Sequence, residues 1–135
     1  AIDAKKDFEI LVNLFPNSKY ANDAKWKLEY IDNILAGKEM DIGRFYLRVN
    51  KPISSVNRFK NVVEKYQTSI FVPEALYRLV EVYYILGVKD EATRYASVLG
   101  YNYPDSIWYR KSHNILLKNA KDRNTSKLKN FFKHL

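Results

Sequence analysis

Two of the 135 side chains are imidazoles, His113 and His134, and none is a thiol. Thiolate zinc sites, a cysteine nucleophile and disulfides are therefore excluded, and a histidine-rich metal site or a Ser-His-Asp triad would need one of those histidines. A catalytic histidine needs an acid that orients its ring; the candidate considered near His113 in sequence is Asp122. The adjacent carboxylates Asp90 and Glu91 lack a spacing that argues acid and base work. No residue earns a catalytic role, and neither metal nor cofactor is expected. A different chemistry, base stacking, is open to Tyr83, Tyr84, Tyr101, Tyr103, Trp108 and Tyr109, which lie near Arg94 and Arg110. Those aromatics fall on helical packing positions, so a core role is favoured.

The net charge of +8 points to an anionic partner until it is located. Ala1 to Tyr109 carries 15 Lys/Arg and 14 Asp/Glu, whereas Arg110 to Leu135 carries 8 Lys/Arg and the single acid Asp122. The body is neutral and the tail is basic. Residues 119–135 form a basic tail or terminal helix that could meet nucleic acid or another anionic surface, with a solvated end segment as the favoured reading. At 47% hydrophobic the chain can bury a core unaided. No run approaches the roughly 20 apolar residues of a membrane helix, and nothing at the start reads as a signal peptide.

The elements that must position any surface are helices in repeated pairs. Phe8 to Ser18 matches Phe59 to Ser69 at an offset of 51, and Asp23-Ala24 recurs as Glu74-Ala75. A weaker copy, Ala96 to Ser106, follows at a further 37. Each is an apolar run, an aromatic, a turn, and a serine placed to cap the next helix. From Ala21 to Val49 the apolar positions Ala24, Leu28, Ile31, Leu35, Ile42, Phe45 and Val49 keep one helical phase across Gly37. This predicts one overlong helix over about 21–49; two helices broken at Gly37 is the alternative. Further helices are expected over Ile53 to Tyr66, Pro73 to Leu86 closed by Gly87, Asp90 to Leu99, Ser106 to Asn119 and Ser126 to Phe132, about seven in all and no strands.

These copies resemble the tetratricopeptide repeat, a helical hairpin of about 34 residues whose second helix carries a small residue, an aromatic four later and a proline eight after that. The matches are Ala4, Phe8, Pro16, then Ser55, Phe59, Gln67, then Ala92, Ala96, Pro104. Gly43 and Tyr46 match the small residue and tyrosine of the first helix, while Val80 stands at the small position of the last repeat and puts close approach there in question. The expected fold is all-α, tetratricopeptide-type hairpins stacked as a short solenoid over residues 1–118. Ala4 already lies on a second helix, so the array starts mid-repeat, as a C-terminal piece of a longer protein would.

The strings Phe15-Pro16-Asn17-Ser18-Lys19-Tyr20-Ala21, Phe45-Tyr46 before Val56-Asn57-Arg58-Phe59, and Leu99 to Ser106 with Trp108-Tyr109 after them are similar to the BamD family, alphaproteobacterial members in particular. These are tetratricopeptide lipoproteins of the β-barrel assembly machinery. The resemblance covers about Phe8 to Tyr109. It departs at Gln67, where the family prefers proline, and has no counterpart for the basic tail. It implies a non-enzymatic scaffold at the periplasmic face of the outer membrane, its full-length form held by a lipidated N-terminal cysteine. It also implies that C-terminal repeats dock on a POTRA domain of BamA and help hold accessory lipoproteins, while N-terminal repeats meet unfolded outer-membrane proteins. Carried over residue by residue, the contact candidates are Arg58 with Asn57, and Tyr46 with Arg48. Arg58 is expected to face outward, and Tyr46 to be core rather than contact.

Overall fold

The computed structural model describes residues 2–118 and Lys133. Among the described residues every regular element is a helix: α1 (Ile2–Leu14), α2 (Lys19–Arg48), α3 (Pro52–Lys65), α4 (Val72–Ile85), α5 (Lys89–Asn102) and α6 (107–118). The chain divides into two compact units, Ala1–Ala75 and Leu76–Leu135, with the division inside α4. The helix expected over Ser126 to Phe132 and the tail over 119–135 lie outside the described residues, Lys133 excepted.

In the first unit α2 is the long element, 30 residues or about 45 Å. It runs unbroken through Gly37, so the alternative of two helices is discarded. A Cβ at Gly37 would meet the Phe71 ring at 3.4 Å, so glycine here makes room for an aromatic and does not end the helix. The side of α2 turned to its neighbours carries Ala21, Ala24, Ala36, Met40 and Gly43, all buried. Small residues at these positions let α1 and α3 approach closely. Phe59 and Val62 of α3 fill the remaining space, and Ser55 is buried beside them.

Three serines were expected to cap helices, and two do. Ser18 Oγ accepts from the Ala21 N–H at 2.9 Å and Ser106 Oγ from the Tyr109 N–H at 3.1 Å. Ser69 does not. The Val72 N–H that its side chain would need turns to the Ser69 main-chain carbonyl, at 3.5 Å, and Ser69 Oγ is buried with no hydrogen-bond partner among the described residues. Two extra residues, Ile70 and Phe71, separate Ser69 from α4, whose start is instead fixed by Pro73 in its first turn.

In the second unit Leu76, Leu79, Val80 and Val82 of α4 and Ala92, Tyr95, Ala96 and Leu99 of α5 are buried. Val80 is fully buried at the position where a small residue was expected. The hairpin turn closes on Gly87, whose φ of 80° is left-handed; the Gly87 N–H reaches Tyr84 O and the Val88 N–H reaches Tyr83 O, a Schellman ending. Helix α5 continues three residues past its expected end at Leu99. Gly100 lies within the helix, and the Tyr109 ring of α6 occupies the place a side chain would take, 2.5 Å from where a Cβ would stand.

Candidate partner-docking surface

The corner between α2 and α3 is built by a second Schellman ending, this time on asparagine. Asn50 has φ 59°, a conformation in which Asn is among the few tolerated side chains. Its N–H bonds to Leu47 O at 3.1 Å and the Lys51 N–H to Tyr46 O at 2.8 Å. Pro52 then opens α3, where its missing N–H costs nothing. The reversal lays α3 back along α2 with the Phe59 ring against Gly43, a Cβ there coming within 2.6 Å of the ring.

That contact decides where the candidate residues point. Arg58 does not face straight out; it lies on the flank of α3 beside α2, its Nη1 3.3 Å from Glu39 Oε1, with its side chain 38% exposed. Asn61 Nδ2 donates to the other oxygen of Glu39 at 3.2 Å. One carboxylate thus holds Arg58 in place while most of its five N–H donors stay available. Asn57 is turned about 100° further round α3 and is exposed, on the same face as Ile53, which is 73% exposed. Tyr46 is half-buried, its ring tilted against Phe45 at 5.7 Å. Arg48 is exposed in the last turn of α2, where a cation complements the helix dipole. The four do not converge on one point: Tyr46 and Arg58 lie toward the Glu39 side of α2, and Arg48 lies on its opposite side.

The corner has a consistent electrostatic character. No Asp or Glu occurs between Asp41 and Glu64, a stretch that holds Arg44, Arg48, Lys51, Arg58 and Lys60. Arg44 is consumed internally: its Nε and Nη2 grip the Glu74 carboxylate at 2.9 and 2.5 Å. Hydrogen bonding to Glu74 raises the Arg44 pKa further, against the opposing effect of burial. Glu39, Asn61, Phe45 and Ile53 were missed in the sequence, because Glu39 and Arg58 are 19 residues apart and no local pattern links them.

A second polar cluster lies around Asp32. Lys5 Nζ of α1 is 2.7 Å from Asp32 Oδ1, donates to the Lys65 carbonyl at 3.2 Å and sits 4.9 Å above the Tyr66 ring. Thr68 Oγ1 donates to Asp32 Oδ2 at 2.6 Å, and Asn33 Oδ1 accepts the Ile70 N–H at 2.8 Å. A cleft of about 310 Å³ opens beside it, lined by Lys5, Glu9, Asp32 and Thr68 among others. With Lys5 and Asp32 engaged by each other and by the α3–α4 turn, the cluster is structural.

Several aromatics of the second unit pack on one another. Tyr83 stacks on Tyr95 at 5.8 Å and Tyr77 packs on Trp108 at 5.4 Å, whereas Tyr101 is 89% exposed. His113 is exposed near the Tyr109 ring. Among the described residues no group of three His, Cys, Asp or Glu could hold a metal ion, and no helix is long and apolar enough to cross a membrane.

Comparison with known proteins adds an independent line. The YfiO family, described as an outer membrane lipoprotein, matches residues 1–99. The chain is 52% identical over 113 residues to the outer membrane protein assembly factor BamD of Rickettsia prowazekii, covering 84% of this chain and 45% of that protein. It is 45% identical over 110 residues to BamD of Caulobacter vibrioides, covering 82% and 36%, and 36% identical over 104 residues to BamD of Neisseria meningitidis serogroup A, covering 77% and 39%. The chain spans less than half the length of these curated relatives.

Proposed function

We propose, for a chain that belongs to the YfiO family of outer membrane lipoproteins, a non-enzymatic role as a docking scaffold in outer-membrane protein assembly. In this reading the α2–α3 corner binds a POTRA domain of BamA. Accessory lipoproteins and unfolded outer-membrane proteins are partners of the whole protein, which a lipid anchor holds at the periplasmic face of the outer membrane. The observation that carries the docking site is the Glu39–Arg58 pair. Arg58 is oriented by Glu39 yet 38% exposed, so a partner can hydrogen-bond it without first ordering a long side chain. Asn57 and Ile53 supply a polar and an apolar contact on the adjoining face, a mixture suited to an interface whose arginine is its centre.

Binding of the chain to isolated POTRA domains, measured by calorimetry, tests this. The double variant Glu39→Arg/Arg58→Glu preserves an internal ion pair and moves the exposed charge. We expect it to keep the helical circular dichroism signal and to lose about tenfold or more in affinity. Unchanged affinity in a folded double variant removes the site.

A further inference from the structure

Helix α6 buries Ser112 and turns to solvent a face that carries cations and no acid. Arg110, Lys111 and Lys118 are exposed there, and with Ile107, Asn114 and Leu117, also exposed, they fall within an arc of roughly 120° at about 100° per residue. No Asp or Glu occurs between Asp105 and Asp122. Among the described residues neither Arg110 nor Lys118 forms an ion pair, while Lys111 Nζ stands 4.8 Å from the centre of the Trp108 ring. The positive charge on this face is therefore left for a partner. Residues 119–135 add five Lys/Arg against the single acid Asp122, so the same sign continues along the chain.

Three features select a phospholipid surface as the occupant. Single-stranded nucleic acid needs rings on which bases can stack, and the two rings of α6 are already used: Trp108 packs on Tyr77 and Tyr109 fills the space beside Gly100. The cations are instead interleaved with aliphatic side chains, Ile107 being 52% and Leu117 45% exposed. That mixture suits the boundary between headgroups and acyl chains, where the cations meet lipid phosphates and the aliphatic groups leave water. Finally, the family to which the chain belongs is described as an outer membrane lipoprotein, which brings a bilayer within reach. Basic side chains near an anionic leaflet add attraction residue by residue.

From this chemistry we propose that the exposed face of α6, with the cations that follow it in sequence, binds an anionic phospholipid surface. The proposal rests on the family's membrane association and not on the docking role above. It uses neither Arg58 nor Asn57, so POTRA binding and vesicle binding fail independently.

Co-sedimentation of the 135-residue chain with phosphatidylcholine vesicles, prepared with and without phosphatidylglycerol, reads this directly. Binding is expected to the vesicles that contain phosphatidylglycerol, and to fall about tenfold or more at roughly 1 M salt, where charges are screened beyond about 3 Å. Arg110→Gln/Lys118→Gln removes two exposed charges and strands no partner. It is expected to weaken vesicle binding about tenfold or more, with circular dichroism checking that the variant is folded. Ile107→Ser/Leu117→Ser is expected to weaken vesicle binding as well while leaving the retention of a single-stranded oligonucleotide unchanged, since only the lipid boundary takes up aliphatic groups. Equal affinity for the two kinds of vesicle overturns the proposal. So does vesicle binding indifferent to Arg110→Gln/Lys118→Gln, or tighter binding of the oligonucleotide than of the phosphatidylglycerol vesicles.

Discussion

The Phe59 ring lies against the bare Cα of Gly43, with Cε1, Cζ and Cδ1 at 2.6, 2.8 and 3.0 Å from where a Cβ would stand. Both residues are buried, and the contact sets the distance between α2 and α3 along the stretch that carries Glu39 and Arg58.

Gly43→Ala should therefore destabilise the chain in spite of alanine's better helix propensity. The ring is enclosed and cannot swing aside, and overpacking of this kind costs about 1–3 kcal/mol against a propensity gain of about 1 kcal/mol. Adding Phe59→Leu, which makes room, should recover part of the loss, so the two changes are non-additive when measured by urea denaturation. Simple additivity would show that the ring does not set the spacing.

Asp32 binds Lys5 and Thr68 with a side chain only 7% exposed. Asp32→Ala leaves the Lys5 ammonium without its counter-charge at a site where Lys5 is itself 19% exposed, and should cost about 3 kcal/mol. Thr68→Val removes one hydrogen bond and should cost about 1 kcal/mol. Replacing Lys5 and Asp32 together by Met and Leu should be milder than Asp32→Ala alone, because no charge is then stranded. Denaturation midpoints of the three variants rank these outcomes.

The Tyr77 hydroxyl has its pKa raised above the usual tyrosine value near 10, first by burial and then by the neighbouring Glu81 carboxylate, which it meets at 3.1 Å. Above about pH 10 the unfolded chain releases this proton while the folded chain retains it. The folded state then binds more protons than the unfolded one, so stability is intact below pH 10 and declines as pH rises through the folded pKa. Tyr77→Phe should lose about 1 kcal/mol at neutral pH, with the Glu81 bond, and show a shallower alkaline decline. Thermal melts across the alkaline range, with tyrosinate absorbance recorded alongside, check both effects.

What was legible in the sequence was whatever repeats or keeps a period. The apolar phase held across Gly37, and α2 is accordingly one helix. The small-then-aromatic spacing of Ser55 and Phe59 marked a core pair, and both are fully buried. The approach of Tyr109 on Gly100 is not legible because it crosses a turn and follows no repeat position, and α5 runs three residues past Leu99. Ser69 looked like Ser18, yet the length of the loop after it, not its type, settled whether it could cap. The ionic contacts were invisible: Lys5 with Asp32, Glu39 with Arg58 and Arg44 with Glu74 join residues 27, 19 and 30 apart, and only the completed packing brings them together.

Those three pairs are spread along α2 at Asp32, Glu39 and Arg44, and each reaches a different neighbouring element: α1, α3 and the first turn of α4. Sliding α3 along α2 by a single residue, about 1.5 Å, would drive Phe59 off Gly43 and pull Arg58 and Asn61 from Glu39 in the same movement. Thr68 and Ile70, which follow directly from α3, would leave Asp32 and Asn33 as well. The first unit therefore has no graded slippage available to it: it holds one setting or comes apart, and a load placed on the α2–α3 corner is carried through it as through a rigid strut.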